Sequence, residues 1–267
     1  MHPGWSADFS YAYFRQFLYT ARRHFTASLL SKAPEVLQTG DSPTLFLRHD
    51  IKVSLKRALY MAEIEHEYNL PATYMVQVQS QLYSLNERNT RIHLLELVQM
   101  GHEVGLHFDL ANAERQDQPF LLIAEKQVRA ACERIEQIIC RPVRSLSLYR
   151  PVPQLYNGPL LIDGRINADT RDLRTCFLSD SAGYWRDGEP LSKISQPAGP
   201  ILQILLHPIW WNKTHLSAPD RLQEFFESTT QDQSAREAGT FDISLAKALP
   251  TVRRQGISAL VDGGVRT

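Results

Sequence analysis

Apolar residues along this chain come in short runs, and each run stops on polar, chemically capable residues. Positions 44–47 precede Arg48, His49 and Asp50; 72–76 precede Gln77; and 104–106 precede His107, Phe108 and Asp109. Further on, 146–148 precede Tyr149 and Arg150, 176–178 precede Ser179 and Asp180, and 201–206 precede His207. Short apolar runs bounded by turn residues predict strands. Most of the intervals between them are long enough for a helix, and strands alternating with helices predict a parallel sheet, closed or nearly closed into a barrel. Parallel strands put all their ends on one face, which is where such folds assemble active sites. The pattern therefore predicts a pocket.

The spacing between the runs supports this order of elements. Ser6 or Asp8 is placed to cap a helix with an apolar stripe of Phe9, Tyr13, Phe14, Phe17, Leu18 and Ala21. The polar stretch 38–43 reads as a turn, and Ser54 opens a helix through Leu55, Ala58, Leu59, Ala62 and Ile64. Asn69, Leu70 and Pro71 end it; 91–100 reads as a helix closed by Gly101, and 119–139 as another stopped by Arg141 and Pro142. The segment 151–199, rich in Pro, Gly and charge, resists parsing, and long loops often carry function. Ala218, Pro219 and Asp220 open a helix through Leu222, Phe225 and Phe226. Residues 228–238 are polar and expected to be mobile, and 243–260 is read as a last helix or an arm. We expect a single barrel domain over 1–230 and a C-terminal extension over 231–267, with no internal repeat.

Composition narrows the function. The 267 residues, 43% of them hydrophobic, suffice for one full core. Lys plus Arg and Asp plus Glu number 29 each, so no net field favours nucleic acid or an anionic membrane. The start has neither a basic segment nor a continuous apolar stretch, and no later run approaches the roughly 18 residues of a membrane span. A cytoplasmic location is expected. Cys132, Cys140 and Cys176 lack zinc or redox spacing and read as reduced packing residues.

Among the polar residues at the run ends, His49 and Asp50 suit proton transfer or a divalent cation; the alternative is a buried Asp capping the next helix. Strand alternation sets Glu103, Gly105, His107 and Asp109 on one side, making His107 and Asp109 potential co-ligands; the alternative for His107 is a satisfied core histidine. His207 is followed by Trp210 and Trp211, an arrangement suited to a sugar face stacked on indoles beside a general acid, or else to a hydrophobic lid. Arg150 and Asp180 supply a candidate buried pair that holds a catalytic group.

Taken together, these segments resemble the polysaccharide deacetylase family of metal-dependent carbohydrate de-N-acetylases, and within it a bacterial branch found among cell-surface polysaccharide biosynthesis proteins. The stretches that carry the resemblance are Leu47-Arg48-His49-Asp50-Ile51, 101–109, Arg150-Pro151, 178–188 and 205–211, spanning about residues 40–212. The resemblance implies a distorted (β/α) barrel, a divalent metal such as zinc, an Asp base and a His acid. By position it makes Asp50 base and ligand, His107 a metal ligand and His207 the acid, with Arg150 and Asp180 supporting the base. Asp50, His107 and Asp109 are then the candidate metal set, and Trp210, Trp211, Tyr149 and Lys52 the candidate substrate contacts.

The chain departs from that pattern at three places. Lys52 stands where the branch carries a second Asp, Tyr149 where it carries a His, and Ala111 four positions after His107 where the family has another His. An ammonium offers no lone pair to a metal and repels a dication, but it can replace the dication's charge. Three classes stay open: a de-N-acetylase acting on an acetamido sugar or activated sugar precursor in O-antigen-like biosynthesis, a non-catalytic member binding a carbohydrate or partner, and another amide hydrolase on the same scaffold.

Overall fold

The fold was obtained as a computed structural model, which describes residues 8–40, 42–109, 120–149, 155–156, 158–196 and 199–237. The expectations for Arg150, Ala111, Ser6 and 243–260 lie outside the described residues.

The chain opens with α1 (Tyr11–His24), whose N-cap is Ser10: its Oγ accepts from Tyr13 N at 3.1 Å. Asp8 stands one step further out, accepting from Ser10 N at 2.8 Å. The stripe Tyr13, Phe14, Phe17, Leu18 and Ala21 is buried, as its helical spacing requires. A two-residue strand β1 (Thr26–Ala27) and helix α2 (Ala33–Thr39), ended by Gly40 in the left-handed region at φ 60, lead to β2 (Thr44–Ile51). Ser54 then caps α3 (Leu55–Glu67) by accepting from Arg57 N. Next come β3 (Thr73–Val76), α4 (Arg88–Gln99), β4 (Glu103–Phe108), α5 (Phe120–Ile139) and β5 (Ser145–Leu148).

The segment that resisted parsing holds a hairpin, β6 (Leu161–Ile162) and β7 (Arg165–Asn167), followed by β8 (Phe177–Ser179) and α6 (Pro190–Ile194). Asp163 and Gly164 make the hairpin turn with φ of 48 and 73, the Asp-Gly chemistry that a two-residue turn needs. Finally β9 (Ile201–Leu206) leads to α7 (Ala218–Glu237). Helix α7 runs through most of the polar stretch expected to be mobile and across the expected boundary at 230. Tertiary packing holds the first turns of the helix, where Leu222 is buried.

Among the described residues the strands form one curled sheet in the order β6-β7-β5-β4-β3-β2-β9-β8, with β1 also against β2. Every pairing is parallel except the β6–β7 hairpin. The result is a mixed α/β half-barrel, a distorted (β/α) barrel open between β8 and the hairpin. Across that opening Gln203 on β9 donates through Nε2 to Ala168 O and Leu173 O at 2.9 and 3.0 Å.

Strand alternation divides β2 into two faces. Leu45, Leu47 and Ile51 join the large cluster beneath the helices, while Phe46 joins a smaller one inside the curl with Leu30, Ala33, Met75, Ile166, Ala168, Leu173 and Ile201. This inner cluster plugs the floor of the barrel, and burying each large side chain there contributes about 1.5–3 kcal/mol. Gly105 sits on the same inner face, where a Cβ would come within 2.5 Å of Met75 Sδ and 2.7 Å of Ser145 Oγ. Only glycine fits at that step, and it lets β4 carry a histidine two residues later at the mouth.

Candidate functional site at the barrel mouth

Above the apolar plug the inner face turns polar. Arg48 and Asp50, two residues apart on β2, share that face, and the guanidinium grips the carboxylate with two bonds: Nε to Oδ1 at 2.8 Å and Nη2 to Oδ2 at 2.9 Å. Arg48 also donates through Nη1 to Asp169 Oδ1 at 2.7 Å, and Asp169 Oδ2 accepts from Leu148 N at 2.8 Å. All three side chains are buried. Burial by itself would raise the Asp50 pKa, but the charge and hydrogen bonds of Arg48, with His107 and His207 nearby, outweigh it and hold the carboxyl well below the usual range.

His107 reaches the same cluster from β4. Its Nδ1 lies 2.8 Å from Ser147 Oγ and 3.6 Å from Asp50 Oδ2, and Ser147 Oγ in turn donates to Asp50 Oδ1 at 3.2 Å. A hydroxyl that spends its hydrogen on Asp50 accepts from His107, so His107 carries its proton on Nδ1 and a lone pair on Nε2. That Nε2 is buried with no hydrogen-bond partner among the described residues. Burial, opposed by Asp50, pushes the His107 pKa down to about 3, so the ring is neutral.

The second arm of the mouth is Asp180, just past β8, with His207, just past β9. The register pairs Ser179 with Leu205 and brings the two residues together. Asp180 accepts from His207 Nδ1 at 2.7 Å, from His207 N at 2.9 and 3.0 Å, and from Trp211 Nε1 at 2.8 Å. A carboxylate against Nδ1 fixes the tautomer and leaves His207 Nε2 with a free lone pair. His207 lines a cleft with Asp50, Lys52, Leu82, Trp210 and Phe226.

Lys52 and Tyr149 complete the mouth. Lys52 Nζ lies 5.1 Å from the Tyr149 ring centroid, and the Tyr149 ring lies edge-on to His107 at 5.5 Å. No carboxylate of a described residue comes within 4.0 Å of Lys52 Nζ. Burial lowers the Lys52 pKa while Asp50 opposes the shift.

Several sequence expectations change here. His49 is no partner of Asp50, because alternation turns it to the other face, where Nε2 meets Glu65 Oε1 at 2.6 Å and the ring stacks on Tyr74 at 4.3 Å. Trp211 is fully buried among Phe9, Tyr13 and Phe14 of the N-terminal segment, so it braces Asp180 and offers no face to a substrate. Trp210 keeps a place on the cleft wall. Asp180 accepts from His207 and Trp211, and Asp50 is held by Arg48; Arg150 lies outside the described residues. Asp109 and His107 both border a second hollow of about 390 Å³, with Gln77, Gln79, Gln127 and Arg134. Sequence reading gave no role to Arg48, Ser147, Asp169 or Gln203. The two-residue spacing of Arg48 and Asp50 was a usable signal, whereas nothing local marked Asp169.

The donor set does not suit a catalytic divalent metal. Such a site needs about three neutral or anionic donors and an open position. Here His107 Nε2 is a competent donor and Asp109 borders a hollow that His107 also lines, but both Asp50 oxygens are engaged by Arg48, and Lys52 and Tyr149 supply an ammonium and a ring face. Among the described residues no three His, Cys, Asp or Glu side chains group to hold an ion.

No family model and no curated protein matches this chain. Solved structures do. Peptidoglycan deacetylase PdaC from Bacillus subtilis is 14% identical over 81% of this chain and 99% of its own, with a TM-score of 0.40. The Streptococcus pyogenes deacetylase PplD in complex with acetate is 12% identical over 50% of this chain and 60% of its own, also at 0.40. BA3943, a CE4 family pseudoenzyme from Bacillus anthracis, is 13% identical over 72% and 62%, at 0.39. The chain thus spans less than two thirds of the length of the last two.

Proposed function

We propose that this chain is a polysaccharide deacetylase-like protein whose barrel mouth binds an acetamido sugar, with metal-dependent hydrolysis lapsed. The observation that carries the reading is the meeting of Lys52, Tyr149 and His107 beside an Asp50 already clamped by Arg48. A general base works best with a pKa near the operating pH, and a carboxylate held far below it accepts a proton from water poorly. What remains suits recognition: hydrogen-bonding groups at Asp50, His207 and Lys52 beside the apolar wall of Trp210, Leu82 and Phe226. In keeping with the resemblance, the ligand is an acetamido sugar or an activated precursor of it in cytoplasmic assembly of an O-antigen-like surface polysaccharide, with residues 1–230 as the binding domain.

The His207–Asp180 pair supports a second reading, a de-N-acetylase that still turns over. An imidazole fixed through Nδ1 with a free Nε2 is the arrangement a general acid or base needs. Release of acetate from a panel of N-acetylated sugars, measured on protein of known metal content, separates the two. The binding reading expects sugar binding without acetate release; metal-dependent release by the wild type rejects it.

A further inference from the structure

Lys52 is a cation at this mouth that no carboxylate of a described residue holds directly. Asp50 and Asp169 both lean on Arg48, so that triad carries two carboxylates on one guanidinium. Lys52 supplies the second positive charge, at a distance rather than in a pair. Asp180 is met by the His207 ring, the His207 amide and the Trp211 indole, and it acts on Lys52 only at a distance. The side chain is half-buried, lies along the face of Tyr149, and lines the cleft that Asp50 and His207 also line. An ammonium so placed has up to three N–H donors and no acceptor on a described residue. A ligand that displaces water from those donors keeps the hydrogen bonds only if it offers oxygens in its place. That ligand cannot itself be cationic, since two ammonium groups in one low-dielectric cleft repel strongly.

We propose that Lys52 does at this mouth what a bound dication would do: it balances the Arg48–Asp50–Asp169 triad and donates to the acyl oxygen of the ligand. The pocket then selects N-acylated sugars over the corresponding free-amino sugars without any metal. This rests on the acetamido-sugar reading and names the residue that sets its specificity.

The test has two arms. In the first, calorimetry in excess EDTA compares the trisaccharide of N-acetylglucosamine with its fully deacetylated counterpart. The acetylated sugar should bind at least about tenfold more tightly, the scale of one charge-assisted hydrogen bond. Lys52→Met should erase that preference, and Lys52→Arg, which keeps the charge and folds with the triad balanced, should retain most of it. Loss of wild-type binding on adding EDTA, or a preference that survives Lys52→Met, overturns the proposal. If the wild type binds neither sugar with or without metal, the acetamido-sugar reading itself fails, and with it the selectivity. The second arm judges the charge replacement independently of any sugar. Zinc chloride should leave the melting temperature of the wild type unchanged, and Lys52→Asp should be destabilised alone and recover with zinc. A zinc-induced stabilisation of the wild type, or a Lys52→Asp variant indifferent to zinc, refutes that half.

Discussion

Lys52 Nζ sits 5.1 Å from the centre of the Tyr149 ring, and these are two of the positions where the chain departs from the pattern it resembles. Their proximity means that the two substitutions act on one point in space, beside the ring of His107, whose Nε2 has no hydrogen-bond partner among the described residues. Restoring a donor at each should therefore act cooperatively. A Lys52→Asp, Tyr149→His double variant is expected to bind zinc, nickel or cobalt far more tightly than the wild type and than either single variant. Titration calorimetry on the four proteins checks this, and tight stoichiometric binding by the wild type would restore the de-N-acetylase as the leading function.

Arg48 is expected to matter most for stability among the mouth residues. Replacing it by Met leaves Asp50 and Asp169 buried without their cation, a loss of about 3–5 kcal/mol. Urea unfolding at pH 7 measures it. A loss below about 1 kcal/mol would show that the triad is not what holds the strand ends together.

The same triad sets an acid limit. Asp50 has a depressed pKa in the folded protein, so its stabilisation is present above the unfolded carboxyl value of about 3.9 and is lost as pH falls toward the folded one. His107 acts over a higher window. With a folded pKa of about 3 against about 6.5 unfolded, the unfolded chain takes up a proton first, and stability declines as pH drops from about 6.5 to 3. His107→Gln should flatten the decline between those values and leave the steeper loss below pH 4, as read from melting temperatures across pH. An unchanged slope would mean the imidazole is protonated in the fold.

Asp180 holds four donor contacts, and Asp180→Ala strands the His207 amide, the Trp211 indole and the His207 ring together. We expect a loss of several kcal/mol, of the order seen on breaking a buried charged network. His207→Gln, which removes only the ring, should cost less in unfolding experiments while weakening sugar binding. Equal stability of the two variants would argue that Asp180 is no brace.

Gly105→Ala brings a methyl within 2.5 Å of Met75 Sδ and 2.7 Å of Ser145 Oγ. Overpacking at this step should cost about 1–3 kcal/mol. Met75→Ala in the same chain should recover part of it; no recovery would place the strain on the Ser145 side.

The sequence by itself determined the order of strands and helices, the parallel sheet and the arrival of Asp50, His107 and His207 at one end of it. Those features rest on local periodicity: a strand repeats every two residues and a helix every 3.6, so runs of apolar residues announce their own conformation. The Asp163-Gly164 turn is local chemistry too, but its strands are only two and three residues long, too short for a period to show, and the segment around it resists parsing. Which side chains then touch was decided only by the tertiary structure. Asp169 comes to Arg48 across 121 positions of chain, through the pairing of β5 with β7 and the curl of the sheet. Trp211 is buried because α1 folds back over it, and a single step along β2 sends His49 to Glu65 and Asp50 to the mouth. The charge balance that leaves Lys52 without a carboxylate partner among the described residues depends on these long-range contacts, and no local pattern encodes them.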